Sequence, residues 1–408
     1  MRVAIVSQGE ELLTGETVDT NSAWLADRCW ALGGPVRRMV TAGDQVADIC
    51  WALGAAADVA DLVICTGGLG PTGDDLTAEA VAAWMSCPLH TDPEAMAQVA
   101  ARFAAWGRPM SPSNRKQAQV PVGATVLENL WGTAPGFSVS AQLCEVVCLP
   151  GIPSEMREMF AAHVEPLIAR LRADAPPTLH RIRTIGIGES RLQDRLSDVD
   201  IGTAVLGFRS HLPEVQVKLR FPAVVPESER ADVVRRVVAA IGRGVYNVDG
   251  GDLAEELGIR LVAGGHTIAL AESCTAGGLA AWLATVPGSS RYLLEGAVVY
   301  SNEAKIRACG VPDATISQHG AVSEPVARAL ALGIQARAGT TLGVGITGVA
   351  GPGGGSDENP VGTVHIAVAG PDRVEHHRFR LPGGRQQVTR RAAGLAINMV
   401  LEMLTPSP

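Results

Sequence analysis

Residues 63–81 read VICTGGLGPTGDDLTAEAV. Val63–Thr66 is a short apolar run of β-branched character, the signature of a buried strand. It stops at Gly67, Gly68, Leu69, Gly70, Pro71 and Thr72, passes Asp74 and Asp75, and resumes from Thr77 with helical spacing. A strand that ends in glycines and opens a helix is the local unit of a parallel α/β sheet, and ligands collect at that junction. Two adjacent acids there suggest a divalent metal that bridges phosphates, although one acid alone would also serve as a first-turn helix cap.

Working outward, strand and helix signals alternate from residue 1 to about 170. Val3–Val6, Val36–Thr41 and Leu62–Thr66 read as strands; Asn21–Leu32, Gln45–Ala57, Thr77–Met85 and Pro93–Trp106 read as helices. The alternation predicts a mostly parallel sheet. From about 175 to 250 the pattern changes to a small α+β module. His180–Ile187 and Glu214–Phe221 are its expected strands, Ser190–Asp198 and Glu227–Ile241 its helices, and Asp200–His211 is expected to be irregular. Ala175-Pro176-Pro177 and Asp249-Gly250-Gly251 flank it with linker chemistry. Long helices and apolar strands return after 251. The expected domains are therefore 1–172, 173–250 and 251–408.

The chain has 408 residues, 47% of them hydrophobic and 19% charged, with a formal net charge of −8. That balance argues against a broad basic surface for nucleic acid. The eight cysteines, Cys29, Cys50, Cys65, Cys87, Cys144, Cys148, Cys274 and Cys309, include no C-x-x-C pair and sit mostly in apolar runs. Reduced, buried thiols are expected. The N-terminal MRVAIVSQGEELLTG lacks a signal-peptide core, and no apolar stretch has the roughly 20 residues of a membrane span. A cytoplasmic chain without membrane contact is expected.

Three strings carry the chemistry of the C-terminal third. In TIALAESCTAGGLAAWLATVPGSS (267–290), a strand at Thr267–Ala271 runs toward a helix expected to start near Ser273. Free N–H groups at such a start can hold an anion beside the serine hydroxyl. Ser273 is equally the residue type of an ordinary N-cap. In GAVVYSNEAKIRACGVP (296–312), Ser301 reads as an N-cap, and Gly310 and Pro312 end the helix. Tyr300 and Lys305 then flank one turn, either facing a cleft or as a half-buried Tyr and a surface Lys. In GVGITGVAGPGGGSDENPVGTVHIAV (343–368), two apolar strands bracket a glycine-rich loop whose N–H groups can form an anion nest. It is not a Walker loop, since no Gly-Lys-Ser/Thr follows.

Together, AESCTAGG, VVYSNEAK, GAVSEP (320–325), GITGVAGPGGG with NPVGTV, and LPGGR (381–385) closely resemble the CinA C-terminal family, the nicotinamide mononucleotide deamidases. The resemblance implies a metal-free serine amidohydrolase that makes nicotinate mononucleotide and ammonia. It implies Ser273 as nucleophile and Tyr300 and Lys305 as proton-transfer residues. It places Cys274, Thr275, Thr347, Gly348, Gly351 and Arg385 around the substrate. The chemistry is coherent, because an amide is a poor electrophile and a serine needs a base and an oxyanion site to attack it. A lysine serves as base when burial keeps it neutral. A Ser-His-Asp arrangement would need His319 or His365 brought in by the fold.

The N-terminal set resembles the CinA N-terminal domain, a relative of the molybdopterin-binding fold. It comprises SQGEELLTGETVDTN (7–21), the 63–81 string, PSNRKQAQVP (112–121), NLWGTAPGF (129–137) and LPGIPSEM (149–156). The resemblance implies a metal-dependent pyrophosphatase for ADP-ribose and related dinucleotides. Its ligand-binding residues would be Glu11, Asn21, Gly67, Gly68, Gly70, Pro71, Thr72, Asn114 and Thr133, with a divalent metal at Asp74 and Asp75. Position 73 is Gly, where the family often carries a larger, basic side chain. GIGESRLQDRL (186–196) and EVQVKLRF (214–221) resemble the family's KH-like middle insert, here without the basic character of an RNA-binding domain. A homodimer is implied by the same family. Relatives of this fold also bind molybdopterin, and the family's competence name leaves a non-catalytic role as a further reading.

Overall fold

The structure is a computed structural model that describes residues 1–141, 144–172 and 175–405. Residues 173–174, at the first expected domain boundary, and 406–408 lie outside the described residues. The chain divides into two compact units. One is Met1–Thr178 with Pro222–Val224; the other is Leu179–Phe221 with the chain from Val225 onward.

The described residues of the first unit form eight strands: β1 (Val3–Gln8), β2 (Val36–Ala42), β3 (Leu62–Thr66), β4 (Leu89–Thr91), β5 (Gln119–Pro121), β6 (Thr125–Leu127), β7 (Gly136–Ser140) and β8 (Glu145–Leu149). The main sheet runs β2-β1-β3-β8-β7-β6. Its first four strands are parallel, and β7 and β6 add antiparallel. The mostly parallel α/β architecture expected from the alternating pattern is therefore present. Strand side chains alternate between faces, so Ala4, Val6, Val63 and Cys65 join one core with Ile49 and Leu53. Val3, Ile5, Leu62 and Ile64 join another with Leu25, Met156 and Phe160. Burial on both faces explains why β1 and β3 read as continuous apolar runs. The helix Thr20–Ala31 is capped by Asp19, whose carboxylate accepts from the Ser22 N–H at 2.8 Å.

The second unit holds two sheets. The smaller consists of β9 (Thr178–Ile185), β10 (Val205–His211), β11 (Glu214–Phe221) and β12 (Val245–Val248), in the order β10-β11-β9-β12. Helices Glu189–Leu196 and Glu227–Ile241 complete an α+β module around Ile182, Leu192, Val217, Leu219 and Val237. The expectation of an irregular Asp200–His211 is corrected, because residues 205–211 form β10, paired antiparallel with β11 over seven positions. β10 is an edge strand without a fully buried residue, so it lacks the apolar alternation that marks a strand in sequence.

The larger sheet contains β13 (Ile268–Glu272), β14 (Leu293–Val298), β15 (Leu342–Gly348), β16 (Thr363–Ala369) and β17 (Val374–Arg380). Their order is β14-β13-β15-β16-β17. β14, β13 and β15 are parallel, and β16 and β17 are antiparallel. Helices Leu253–Gly264 and Arg385–Leu404 cover one face, where Leu270, Val344, Ile346 and Ile366 pack against Leu257, Val388 and Ile397. Ile185 and Tyr246 of the α+β module belong to that same core. Helix Glu324–Ala338 covers the other face. Gly343 and Gly345 let it lie directly on β15: a Cβ at either position would collide with the carbonyls of Ala331 or Ala327. All eight cysteines are free thiols. No helix among the described residues is long and apolar enough to cross a membrane.

Candidate active sites

β13 ends at Glu272, level with Val298 of β14 and Ile346 of β15. This register brings Ser273, the Tyr300 segment and Thr347 to the same end of one sheet. Ligand sites gather at such an end of parallel strands. The expected helix start at Ser273 is corrected, since the helix begins at Gly278. Ser273 itself donates its N–H to the Ile346 carbonyl at 3.0 Å. The delay has a backbone cause. Ala276 (φ 52°) and Gly277 (φ 91°) are left-handed, and this wide turn separates strand from helix.

The helix's first N–H groups are not free for a ligand either. The buried Glu272 carboxylate, 1% exposed, accepts from Gly277 at 3.1 Å, Leu279 at 3.0 Å and Ala280 at 2.8 Å. Glu272 is thus the cap that was assigned to Ser273. Thr275 is buried, and its hydroxyl has no partner among the described residues. A buried hydroxyl left unpaired costs free energy until something fills the role.

Lys305 is 2% exposed, which removes the surface-lysine reading. Helix Asn302–Cys309 carries it, and Ser301 caps that helix through the Ala304 N–H at 3.1 Å. Among the described residues, the Lys305 ammonium donates to the carbonyls of Tyr300 at 3.2 Å and Ser301 at 3.5 Å. No carboxylate among the described residues pairs with it, and burial pulls its pKa below the usual lysine value against the weaker opposing pull of Glu303. Burial pushes the neighbouring Cys274 thiol up to about 12, against the opposing pull of the Lys305 and Arg385 charges. Tyr300 is 55% exposed. Its hydroxyl accepts from Arg385 Nη2 at 2.5 Å, while Arg385 Nη1 donates to the Gly351 carbonyl at 2.9 Å. Thr347 is buried and donates to the Ala321 carbonyl at 2.7 Å, so its hydroxyl anchors the GAVSEP segment. Gly348 ends β15, and Gly351 opens the glycine-rich loop with φ 84°.

In the N-terminal unit, a cavity of about 350 Å³ is lined by Glu11, Gly67, Gly68, Gly70, Pro71, Asp74, Asp75 and Thr133 among the expected residues. Gln8, Asp44, Gln117 and Glu155 complete its polar wall. Gln8, Gln117 and Glu155 lie inside the quoted strings but carry no residue type that marks them out from their neighbours, and Asp44 lies outside every string. Gly67 (φ 106°) must be glycine, because a Cβ would meet the Gln8 carbonyl at 2.5 Å. Asn21, Asn114 and Thr72 stand one step behind the wall. Asn21 donates to the Gly151 carbonyl at 2.7 Å and to Thr66 Oγ1 at 3.2 Å, and Asn114 donates to Gln117 Oε1 at 3.0 Å. Thr72 donates its N–H and hydroxyl to Asp75 Oδ2, at 2.8 and 2.5 Å.

The donors in this cavity are all oxygens, the type a hard divalent cation takes. No group of three or more His, Cys, Asp or Glu side chains able to hold a metal occurs among the described residues, and one oxygen of Asp75 is engaged by Thr72. Asp74 is exposed, and, like Asp75, its carboxyl is engaged by Thr72, which holds it below the usual range. A cation here would keep waters and draw ligands from a substrate's phosphates, as magnesium does. Lys116 donates to the Thr72 carbonyl at 3.0 Å and pairs with Glu79 at 3.2 Å. It brings a cation to the turn that Gly73 lacks.

The "CinA C-terminal domain" model matches residues 251–404, and the "Probable molybdopterin binding domain" model matches residues 4–170. A CinA-like protein of Anaeromyxobacter dehalogenans is 44% identical over 404 residues, 98% of this chain and 99% of that protein. Another from Gemmatimonas aurantiaca is 42% identical over 407 residues, 98% and 95% of the two chains. A crystal structure of a CinA protein from Thermoplasma acidophilum is 35% identical, with a TM-score of 0.39, covering 41% of this chain and 97% of that one. A molybdopterin biosynthesis protein from Mycobacterium abscessus is 19% identical, with a TM-score of 0.30, covering 42% of this chain and 92% of that one.

Proposed function

The chain belongs to the CinA family, and from that premise we propose that residues 251–408 hydrolyse the amide of nicotinamide mononucleotide. The observation that supports this reading is a buried lysine held by the Tyr300 and Ser301 carbonyls, at the sheet end where Ser273 follows β13. Neutral Lys305 takes the Ser273 proton, with the Tyr300 hydroxyl passing it on, as Ser Oγ attacks the amide carbon. Backbone N–H groups at Cys274 and Thr275, with the unpaired Thr275 hydroxyl, hold the oxyanion. Collapse breaks the C–N bond, the proton returns to nitrogen, and ammonia leaves. Water then hydrolyses the Ser273 ester to the carboxylate. No metal enters this chemistry. Ammonia release from nicotinamide mononucleotide by the purified protein, lost in Ser273→Ala, is the test. Near-normal turnover in a folded Ser273→Ala protein refutes it.

The same proposal gives the N-terminal cavity a metal-dependent pyrophosphatase activity on ADP-ribose and related dinucleotides. It is supported by eight expected residues lining one cavity with oxygen-only donors. A bound divalent cation would supply charge neutralisation between phosphates, with Asp74 and Asp75 as its protein ligands. Asp74→Asn should reduce ADP-ribose cleavage and spare ammonia release, and EDTA should do the same; cleavage untouched by EDTA removes the metal. Should neither substrate turn over, a molybdopterin-binding or non-catalytic competence role takes precedence, and co-purified pterin fluorescence separates those two. The proposal also includes a cytoplasmic homodimer, a structural KH-like module, and no direct contact with nucleic acid.

A further inference from the structure

A second cavity, of about 640 Å³, opens beside Thr347. Its walls are the His319–Pro325 segment, the glycine-rich loop at Val349, Gly354, Ser356, Glu358 and Asn359, and the side chains of His365 and Arg378. Thr347 and His365 are direct partners across β15 and β16, so their side chains share a face. Ala321, the acceptor of the Thr347 hydroxyl, is part of the wall.

His365 is 6% exposed, and its Nε2 is buried with no hydrogen-bond partner among the described residues. Its Nδ1 lies 3.0 Å from His376 Nε2, with the ring planes inclined by 20° and the centroids 5.2 Å apart. The far nitrogen of His376, Nδ1, lies 3.4 Å from Glu324 Oε2. Glu324 also accepts from Arg328 Nε at 2.7 Å, which holds its carboxyl below the usual range. This carboxylate decides the protons along the chain. It draws a proton onto His376 Nδ1, because a bare lone pair there would face negative charge. His376 Nε2 is then the acceptor and His365 Nδ1 the donor. The remaining nitrogen, His365 Nε2, is left as a bare lone pair.

We propose that this cavity is a sugar subsite, in which His365 Nε2 accepts a hydrogen bond from a ribose hydroxyl of a nucleotide whose amide lies at Ser273. This rests on the deamidase reading and extends it. An acceptor-only nitrogen requires a donor, and a hydroxyl supplies one without charge. Glu324 and Glu358 on the wall disfavour a phosphate; Arg378 donates to the Glu358 carbonyl and Asn359 Oδ1, Asn359 donates to the Val322 carbonyl, and the Ser356 hydroxyl, which accepts from the Asn359 N–H at 3.0 Å, has its proton to give to a further hydroxyl. Ser273 follows β13 and His365 lies two strands away, roughly 10 Å at the usual strand spacing, within the reach of one mononucleotide. His376 is a positioning residue that lies off the cavity wall and orients the proton on His365, and Glu324 acts on that proton through His376.

Two measurements on the full chain test the subsite. In the first, nitrogen-15 imidazole signals of the histidine-labelled protein should show His365 with Nδ1 protonated and Nε2 bare. Adding D-ribose 5-phosphate should shift that Nε2 signal. In Glu324→Gln, which alters an exposed side chain, the two tautomers should mix and the response should weaken. In the second, His365→Phe should raise KM for nicotinamide mononucleotide at least ten-fold with kcat within two-fold. An analogue without the 2′ and 3′ hydroxyls should show no such difference between wild type and variant. An Nε2 signal indifferent to saturating ribose 5-phosphate, or an equal KM change for the analogue, overturns the subsite. If wild type releases no ammonia, the deamidase reading falls, and the imidazole titration still decides the subsite.

Discussion

Arg385 donates Nη2–H to the Tyr300 hydroxyl at 2.5 Å, joining residues 85 positions apart. The contact ties the first residue of the last long helix to the end of β14, beside the turn that holds Ser273. It also orients the phenol: with its oxygen accepting from a cation, the Tyr300 hydroxyl proton is free to point elsewhere. Tyr300→Phe should lower kcat for ammonia release by about 10²-fold, in the range of a lost proton-transfer group. Stability should change by no more than about 0.5 kcal/mol, since the ring is largely exposed. Steady-state kinetics beside thermal melting checks both; an unchanged kcat removes Tyr300 from the proton path.

Lys305 gives a pH signature. Burial lowers its pKa, and the neutral amine is the active base. Activity should therefore rise with pH through that lowered pKa and fall as the amine protonates on acidification. Lys305→Met keeps the buried stem and deletes the base. It should cost at least about 10²-fold in kcat and abolish the acid limb of the profile. A loss confined to KM would make Lys305 a binding residue instead.

His365 ties stability to pH. Its pKa falls from an ordinary 6.5 to about 4, chiefly through burial, with His376 and Arg378 adding to the effect. The unfolded chain binds a proton between those values and the folded one does not. This contribution is complete above pH 6.5 and is lost as pH falls toward 4, amounting to roughly 3 kcal/mol at most. Denaturant unfolding from pH 7 to 4 should show that slope, and His365→Phe should flatten it. Parallel curves for the two proteins would place the acid sensitivity elsewhere.

Ile185 and Tyr246 lie in one core with Leu253, Leu257 and Ile397. A fragment of residues 179–408 keeps that core whole, whereas 251–408 loses both side chains while keeping every candidate C-terminal site residue. Both fragments should release ammonia. The longer should be more stable by about 3 kcal/mol, the scale of burying two large side chains. Urea unfolding compares them. Equal midpoints would mean that the module contributes nothing to the core, and a folded but inactive 251–408 would mean that the module completes the site.

Much of the fold was written locally. Gly67, Gly68 and Gly310 take left-handed backbone angles that few residue types tolerate, and the Ser301 cap needs a side-chain oxygen, so their positions were legible one residue at a time. The apolar runs of β1, β3, β13 and β15 declared a sheet buried on both faces. β10 did not, because an edge strand buries too little to leave a pattern.

The candidate sites divide in the same way. Ser273, Lys305 and the Asp74–Asp75 pair could be singled out because each sits beside a strand end in its own string. Which groups actually cap, pair or stay empty was decided by contacts that no string contains. Glu272, rather than Ser273, holds the helix N-terminus, because two left-handed residues carry the chain around until its N–H groups meet that carboxylate. Lys305 is buried because other elements cover it. The path from Glu324 through His376 to His365 exists only because helix Glu324–Ala338 crosses the β15–β16–β17 face. Local conformation follows from a residue and its neighbours, whereas protonation state and hydrogen-bond satisfaction follow from whatever the tertiary fold packs around a group.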